Sequence, residues 1–196
     1  MHDRNLMVDR TRFEFRPLET SDLSLLHAWM QLPHARATFG HWTLDAVRED
    51  YGSSIEGRVP FYAYVVLADA RPIGMMSWNR FRDFPEMREC YRVDNPNAVN
   101  CDVLLGEMAH RGLGAGLVRK FLREHPFADA SVDACVIDPH ATNAIAIRAY
   151  EKAGFRFVRE VIDFEDGVAL HLMELSRAEL EARLDVDARV SDGRGR

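Results

Sequence analysis

The sequence predicts an α/β (α+β) fold with a mixed, mostly antiparallel central sheet of about seven strands, flanked by about four helices. Several short segments alternate apolar and polar residues, which is the period of a half-buried strand. Other segments place apolar residues three and four positions apart, as on one face of an amphipathic helix. Over 196 residues the order is β-α-α-β-β-β-α-β-α-β-β. This length suits one domain, predicted at residues 1–184, followed by a charged, glycine-containing flexible tail at 185–196.

The first half of the chain is predicted to contain two helices and a hairpin. A strand covers Phe13, Phe15 and Leu18, and Thr20-Ser21-Asp22 offers N-caps to a helix that carries Leu23, Leu26, Trp29 and Met30. Thr43 caps a second helix, which runs to about Tyr51 and ends at Gly52. Two strands, Pro60–Ala68 and Ile73–Trp78, flank the turn Asp69-Ala70-Arg71-Pro72. A polar loop from Arg80 to about Asn97 follows.

The second half is predicted to contain two strand-helix-strand crossovers. Its elements are a strand at Val99–Gly106, a helix at Leu113–Arg123, a strand at Ser131–Ile137 and a helix at Asn143–Ala153 that Gly154 ends. A hairpin of Phe155–Asp163 and Val168–Glu174 around Asp166-Gly167 comes next, and a short amphipathic helix at Arg177–Leu184 completes the domain.

Composition excludes several classes of protein. The hydrophobic fraction of 47% is enough for a core, and 25 basic against 31 acidic side chains give a net charge of −6. A nucleic-acid partner is not expected, since such proteins carry a basic face. No apolar run is long enough to span a membrane. Three widely spaced cysteines and scattered histidines indicate neither disulfides nor a metal site, so we expect a metal-free protein in the reducing cytoplasm. We expect a monomer or a homodimer.

A glycine-rich loop is the strongest functional signal. Arg111-Gly112-Leu113-Gly114-Ala115-Gly116 lies between a predicted strand and a predicted helix. Converging N–H groups and the helix dipole at such a junction favour an anion, although a tight turn alone also needs glycine. The loop is not a P-loop, because Leu117-Val118 follows it. It is not a dinucleotide-binding loop either, because it does not follow the first strand.

A second signal lies in the helix from Asn143. Asn143 and Tyr150 are seven residues apart, which places both on one helix face. An amide there can bind an amide-bearing ligand, and a phenol can release a proton. The alternative is structural, with Asn143 as an N-cap and Tyr150 as a core aromatic.

Together, the loop Arg111-x-x-Gly114-x-Gly116 and the segment from Asn143 to Tyr150-Glu-Lys-Ala-Gly-Phe155 resemble the coenzyme A half of the GNAT superfamily. The resemblance covers about residues 13–175. Within the superfamily the chain is most similar to the aminoglycoside 6'-N-acetyltransferases, through Phe15–Trp29, Asp138-Pro139 and Tyr150–Phe155. The related siderophore hydroxylysine acyltransferases tend to have a histidine where this chain has Asp102. That difference favours an amine acceptor.

The resemblance implies acetyl-CoA as cosubstrate, Asp102 as the general base and Tyr150 as the acid that protonates the leaving thiolate. It also implies that the strand holding Asp102 separates from its neighbour, leaving an edge for the pantetheine arm and N–H groups for the thioester oxygen. The implied cosubstrate residues are Val103, Leu104, Leu105, His110, Arg111, Gly112, Leu113, Gly114, Ala115, Gly116 and Asn143. Two loop registers remain open, one using Arg111, Gly114 and Gly116, the other Gly112 and Gly114.

A small cationic acceptor is expected to approach from the hairpin side. Its candidate contacts are the carboxylates and indoles Asp83, Glu86, Glu89, Trp29 and Trp78, although a solvated loop and core tryptophans explain the same residues. Within enzymes, acylation of a hydroxylysine-type siderophore precursor or of a protein N-terminus is the alternative. A non-catalytic acyl-CoA-binding module is the alternative from a different class.

Overall fold

The computed structural model describes residues 12–106, 114–163 and 167–184. Seven strands form one sheet in the order β1-β2-β3-β4-β5-β7-β6. All neighbouring strands are antiparallel except β4 and β5, which are parallel. The strands are β1 (Phe13–Pro17), β2 (Phe61–Ala68), β3 (Arg71–Arg80), β4 (Ala98–Leu105), β5 (Ala134–Ile137), β6 (Arg156–Ile162) and β7 (Ala169–Ser176). The predicted mixed, mostly antiparallel seven-stranded sheet is therefore confirmed.

Helices cover both faces of the sheet. They are α1 (Leu23–Met30), α2 (Pro33–Phe39), α3 (Leu44–Ile55), α4 (Pro85–Tyr91), α5 (Gly114–Glu124), α6 (Ala144–Ala153) and α7 (177–184). Short 3₁₀ turns lie at Thr20–Asp22, Phe81–Asp83 and Pro126–Ala128. The described residues thus form seven helices, of which α2 and α4 were not predicted and α7 is the short helix predicted at Arg177–Leu184.

Helix ends follow the capping residues that the sequence provides. The Thr43 hydroxyl accepts a hydrogen bond from the Ala46 N–H at 3.1 Å and begins α3. The Asn143 amide oxygen does the same for the Ala146 N–H at the start of α6, also at 3.1 Å. Gly154 ends α6 in the left-handed region, with φ of 116°. Gly52 does not end α3, which continues for three residues because nothing at that position interrupts the helical hydrogen bonds.

Alternating strand residues separate the core into layers. Val66, Met76 and Val99 face one side, where they pack with residues of α5, α6 and α7. Met75 and Leu104 face the other side, under α1 and α3. A third cluster lies on that same side beneath α4 and includes Phe81, Tyr91, Leu170 and Leu172. Polar side chains of β3 and β4 therefore lie between the second and third clusters.

The segment predicted as a polar loop at 80–97 is largely ordered, so that prediction was wrong. β3 extends to Arg80, and Pro85 stands at the start of α4, where a proline costs no hydrogen bond. Met87 and Tyr91 are four residues apart and turn toward the third cluster. Arg92 ends the helix in the left-handed region, with φ of 51°. A proline and many charges made this helix resemble a loop.

Candidate active site

The site begins where β4 and β5 part. The two strands pair only from Ala98 to Asn100 on β4, opposite Ala134 to Val136 on β5. β4 nevertheless continues to Leu105, paired on its other side with β3 as far as Gly74. The second half of β4 therefore has an edge that β5 does not cover, and the separation implied by the family resemblance is present.

Peptide orientation decides which backbone groups this edge offers. The Gly106 N–H donates to the Ile73 carbonyl of β3 at 2.7 Å, and a Cβ added to Gly74 would lie 2.3 Å from the Leu104 carbonyl oxygen. Leu104 therefore directs its carbonyl toward β3, and because direction alternates along a strand, Val103 and Leu105 direct theirs away from it. The Leu105 carbonyl accepts a hydrogen bond from His34 Nε2 at 2.7 Å.

A cavity of about 630 Å³ lies along this edge. Its walls come from α2, the second half of β4, the start of α5, the turn after β5, and α6. Its lining includes Asp102, Val103, Leu104, Leu105, Gly114, Ala115, Asp138, Asn143 and Tyr150. The structure thus brings both predicted catalytic residues and six predicted cosubstrate residues into one cavity. His110, Arg111, Gly112 and Leu113 lie outside the described residues, and Gly116 is exposed outside the cavity lining.

Asp102 is the carboxylate on β4, held by its neighbour on β3. The Ser77 hydroxyl donates to Asp102 Oδ2 at 3.2 Å, and the two residues are directly paired in the ladder. Burial, and to a lesser extent the nearby Asp138 carboxylate, raise the pKa of Asp102 to about 7, against the lowering effect of the Ser77 hydrogen bond. A carboxylate whose pKa lies near neutrality is suited to accept a proton from an amine.

Asp138, which follows β5, is a second carboxylate in the cavity and was not among the predicted site residues. Tyr91 Oη donates to its Oδ2 at 2.5 Å, and Asn100 Nδ2 donates to its Oδ1 at 3.1 Å. Burial raises the pKa of Asp138, whereas these two hydrogen bonds lower it. A sequence signal for a polar partner such as Asp138 was present in β4, where Asn100 and Asp102 interrupt an otherwise apolar strand.

Tyr150 lies on α6 and is buried, with its ring 5.9 Å from that of Phe155. Burial raises the pKa of its hydroxyl, and the charges of Asp138 and Asp102 raise it further. The phenol therefore keeps its proton at neutral pH. Tyr150 is therefore a core aromatic, as the structural interpretation of the sequence holds, and it also forms part of the cavity wall.

Asn143 likewise has a structural position at the edge of the site. Its side-chain oxygen is occupied by the N-cap hydrogen bond to Ala146, and the residue also lines the cavity. The side-chain oxygen thus serves the helix at the edge of the cavity.

The predicted acceptor residues do not line the cavity. Trp29 is buried against Gly106, where an added Cβ would lie 2.6 Å from the indole nitrogen. Trp78 is buried and stacks on Tyr62 at 4.4 Å. Asp83, Glu86 and Glu89 are exposed on the Phe81–Asp83 turn and on α4. The segment from residue 80 to 97 reaches the site through Tyr91, not through its acidic residues.

Residues 12–106, 114–163 and 167–184 contain neither a metal-binding cluster nor a membrane-spanning helix. These residues contain no group of three His, Cys, Asp or Glu side chains arranged to hold a metal ion. In the same ranges, no helix combines the length and the apolar character that crossing a membrane requires.

The fold and the parted strands define an acyltransferase of a particular class. A family model described as an acetyltransferase (GNAT) domain matches residues 19–163. The chain belongs to this family.

Among its relatives are aminoglycoside-modifying enzymes. The aminoglycoside N(6')-acetyltransferase type 1 of Klebsiella pneumoniae is 29% identical over 170 residues, which is 83% of each chain. A crystal structure of aminoglycoside acetyltransferase AAC(6')-Ib with coenzyme A and kanamycin superposes with a TM-score of 0.75 at 28% identity, covering 87% of this chain and 98% of that one. The same enzyme with paromomycin and acetyl-CoA gives a TM-score of 0.74 at 28% identity, covering 86% and 96%.

Proposed function

We propose that this chain transfers the acetyl group of acetyl-CoA to a primary amine of a small cationic acceptor of the aminoglycoside type. The observation that carries the proposal is the single cavity in which the open edge of β4, the carboxylates Asp102 and Asp138, and the phenol Tyr150 meet. The relatives named above act on aminoglycosides, and complexes of one of them contain coenzyme A or acetyl-CoA.

The residues along β4 and α5 fit acetyl-CoA. The pantetheine arm carries amide groups, and the backbone groups of Val103 and the N–H of Leu105 point to the open edge, where they can pair with it. The Leu105 carbonyl already accepts a hydrogen bond from His34. Gly114 and Ala115 lie at the start of α5 and line the cavity, and a helix N-terminus favours phosphate. Acetyl-CoA supplies the activated acetyl group as a thioester.

Asp102 is the proposed general base. An alkyl amine has a pKa of roughly 10, as lysine does, and must lose a proton before it can attack a carbonyl carbon. Asp102 accepts that proton, directly or through water, when its own carboxyl is ionised. Its raised pKa makes it a stronger base than an ordinary carboxylate, while part of it remains ionised near neutrality.

Tyr150 is the proposed general acid. Its phenol stays protonated because burial and two carboxylates disfavour the phenolate. We assign it the protonation of the thiolate that departs when the amide bond forms, because it lines the same cavity as the open edge of β4. No covalent enzyme intermediate is required, since the amine attacks the thioester directly in a ternary complex.

The carboxylates also support the choice of a cationic acceptor. Asp102 and Asp138 line one cavity and carry up to two negative charges there, which a polyamine or aminoglycoside with several ammonium groups neutralises. We propose that the acceptor binds beside these two residues, in place of the originally expected Asp83, Glu86 and Glu89.

The proposed setting is the cytoplasm, where acetyl-CoA is made and thiols stay reduced. Cys101 and Cys135 are buried free thiols, and Cys90 is a partly exposed one. A reducing compartment suits three free cysteines.

The test is release of coenzyme A, followed with a thiol-reactive dye, from acetyl-CoA and a panel of acceptors. The panel contains kanamycin, tobramycin, spermidine, hydroxylysine and a short peptide. Turnover highest on kanamycin or tobramycin supports the proposal, and turnover highest on hydroxylysine or the peptide overturns the acceptor class. Tight acetyl-CoA binding without turnover on any acceptor favours the non-catalytic module instead.

A further inference from the structure

Asp138 is held more firmly than the general base beside it. Each of its two oxygens accepts one hydrogen bond, from Tyr91 Oη at 2.5 Å and from Asn100 Nδ2 at 3.1 Å. Asp102 accepts one side-chain hydrogen bond from the described residues, from Ser77 at 3.2 Å. Because donors favour a carboxylate over a carboxylic acid, these two hydrogen bonds stabilise the charged form of Asp138 against the effect of burial.

The two donors come from outside the cavity lining. Tyr91 is the last residue of α4 and is buried in the third core cluster. Asn100 lies on β4, two residues before Asp102, and is also buried. Neither lines the cavity itself, so each acts on the site through Asp138.

The buried amide of Asn100 shows that its orientation serves Asp138. Its Oδ1 is buried without a hydrogen-bond partner among the described residues, which is unfavourable for a polar atom. The opposite orientation would place this oxygen against the Asp138 carboxylate and lose the donated hydrogen bond. The amide therefore keeps its donor on Asp138 despite leaving the oxygen unsatisfied.

We propose that Tyr91 is a positioning residue: with Asn100 it holds Asp138 as a charged, fixed carboxylate, and this charge controls when the neighbouring base Asp102 takes up its proton. This rests on the proposed function in one respect, since Asp102 is the base only if the chain transfers acetyl to an amine. α4 thus acts on the reaction from outside the cavity.

Other charged and titratable groups surround the two carboxylates. They are His34 on α2, Tyr51 on α3, Cys101 on β4, Cys135 on β5, His140 after β5, Arg148, Tyr150 and Lys152 on α6, and Asp163 after β6. Asp163 adds negative charge near Asp138 and raises its pKa. Among the described residues, Tyr91 and Asn100 alone donate side-chain hydrogen bonds to Asp138, and together with its own backbone N–H they oppose the effect of burial.

The predicted effect has a definite sign. Tyr91→Phe removes one donor, so Asp138 takes up a proton more readily and carries less negative charge. The pKa of Asp102 then falls, because less repulsion opposes its ionised form. Asp138→Asn removes the charge altogether and shifts the pKa of Asp102 in the same direction and further, by on the order of one pH unit.

The experiment follows the titration of the Asp102 carboxyl carbon by NMR in protein labelled with ¹³C at the aspartate side chains. Asp102→Asn assigns the signal, and Tyr91→Phe, Asn100→Ala and Asp138→Asn are compared with wild type. Tyr64→Phe is the matched control, since it removes a phenolic hydroxyl from a partly buried tyrosine of β2 outside the cavity lining. Asn100→Ala removes the other donor and keeps the test decisive if Tyr91→Phe folds poorly.

A lower Asp102 pKa in Tyr91→Phe and Asn100→Ala, in the direction of Asp138→Asn and absent from Tyr64→Phe, supports the proposal. The proposal is overturned if the pKa of Asp102 shifts in Asp138→Asn but in neither Tyr91→Phe nor Asn100→Ala. It is also overturned if the pKa of Asp102 shifts in none of the three variants. The acid limb of kcat/KM with kanamycin is measured in parallel. If the pKa of Asp102 shifts but the acid limb of kcat/KM does not, the effect of Asp138 on Asp102 is supported and the role of Asp102 as base is overturned.

Discussion

Ser77 on β3 and Asp102 on β4 are paired in the antiparallel ladder and joined by a hydrogen bond of 3.2 Å from the serine hydroxyl to the carboxylate. This pairing holds the proposed base on the sheet, two residues beyond Asn100, the last β4 residue that pairs with β5. It also favours the ionised form of Asp102, against the effects of burial and of Asp138.

Ser77→Ala is therefore expected to raise the pKa of Asp102. The acid limb of kcat/KM moves toward higher pH, by a few tenths of a unit to about one unit, since a single hydrogen bond is removed. The measurement is the pH profile with kanamycin. Ser53→Ala, which removes a hydroxyl bonded to the Glu49 carbonyl on α3, is the control and should leave the profile unchanged.

Stability is expected to depend on pH through the same carboxylate. The folded pKa of Asp102 lies above its unfolded value, so the folded state binds more protons between about pH 4 and pH 7. Its contribution to stability is full below the unfolded pKa and is lost as pH rises through the folded pKa. Asp102→Asn should thus raise the Tm relative to wild type at about pH 8, with a smaller difference at about pH 4. An equal difference at both values contradicts this account.

Asn143→Ala should destabilise the protein by about 1 kcal/mol, because the N-cap of α6 is lost. Thr43→Ala removes an equivalent cap from α3 and should have a similar cost. Only Asn143 lines the cavity, so if it also binds the cosubstrate, only Asn143→Ala raises the KM for acetyl-CoA. Urea unfolding and steady-state kinetics separate the two effects, and an equal KM in both variants leaves Asn143 as a cap alone.

Gly74→Ala should destabilise the protein by about 1–3 kcal/mol, since the added Cβ would lie 2.3 Å from the Leu104 carbonyl oxygen and push β3 from β4. Gly52→Ala is the matched control. Its Cβ meets nothing within 4 Å inside α3, so a gain of about 0.5–1 kcal/mol is expected. Thermal unfolding of the two variants measures both, and equal losses would contradict the close approach at Gly74.

Periodicity and capping residues predicted the sheet and the helices that carry the site. The Asn143 cap and Gly154 end marked α6, and alternation marked β4, so Asp102 and Tyr150 were assigned to the correct elements. The order of those elements and the glycine loop then resembled a family whose strands part at this position.

Sequence reasoning missed what depends on tertiary contact. Asp138 is a site residue because Tyr91, 47 positions away, holds it in the cavity. Trp29 and Trp78 are core residues, since long-range packing against Gly106 and Tyr62 buries them. The polar pattern of α4 indicated a loop because its apolar side is only a few residues wide.

The most direct test of the central claim compares kcat with acetyl-CoA affinity in Asp102→Asn and Tyr150→Phe, using kanamycin as acceptor and Tyr64→Phe as control. If these two residues move protons during acetyl transfer, kcat falls by about 10²-fold or more in both variants while the Kd for acetyl-CoA stays near that of wild type. A kcat that stays near the wild-type value in both would contradict the account.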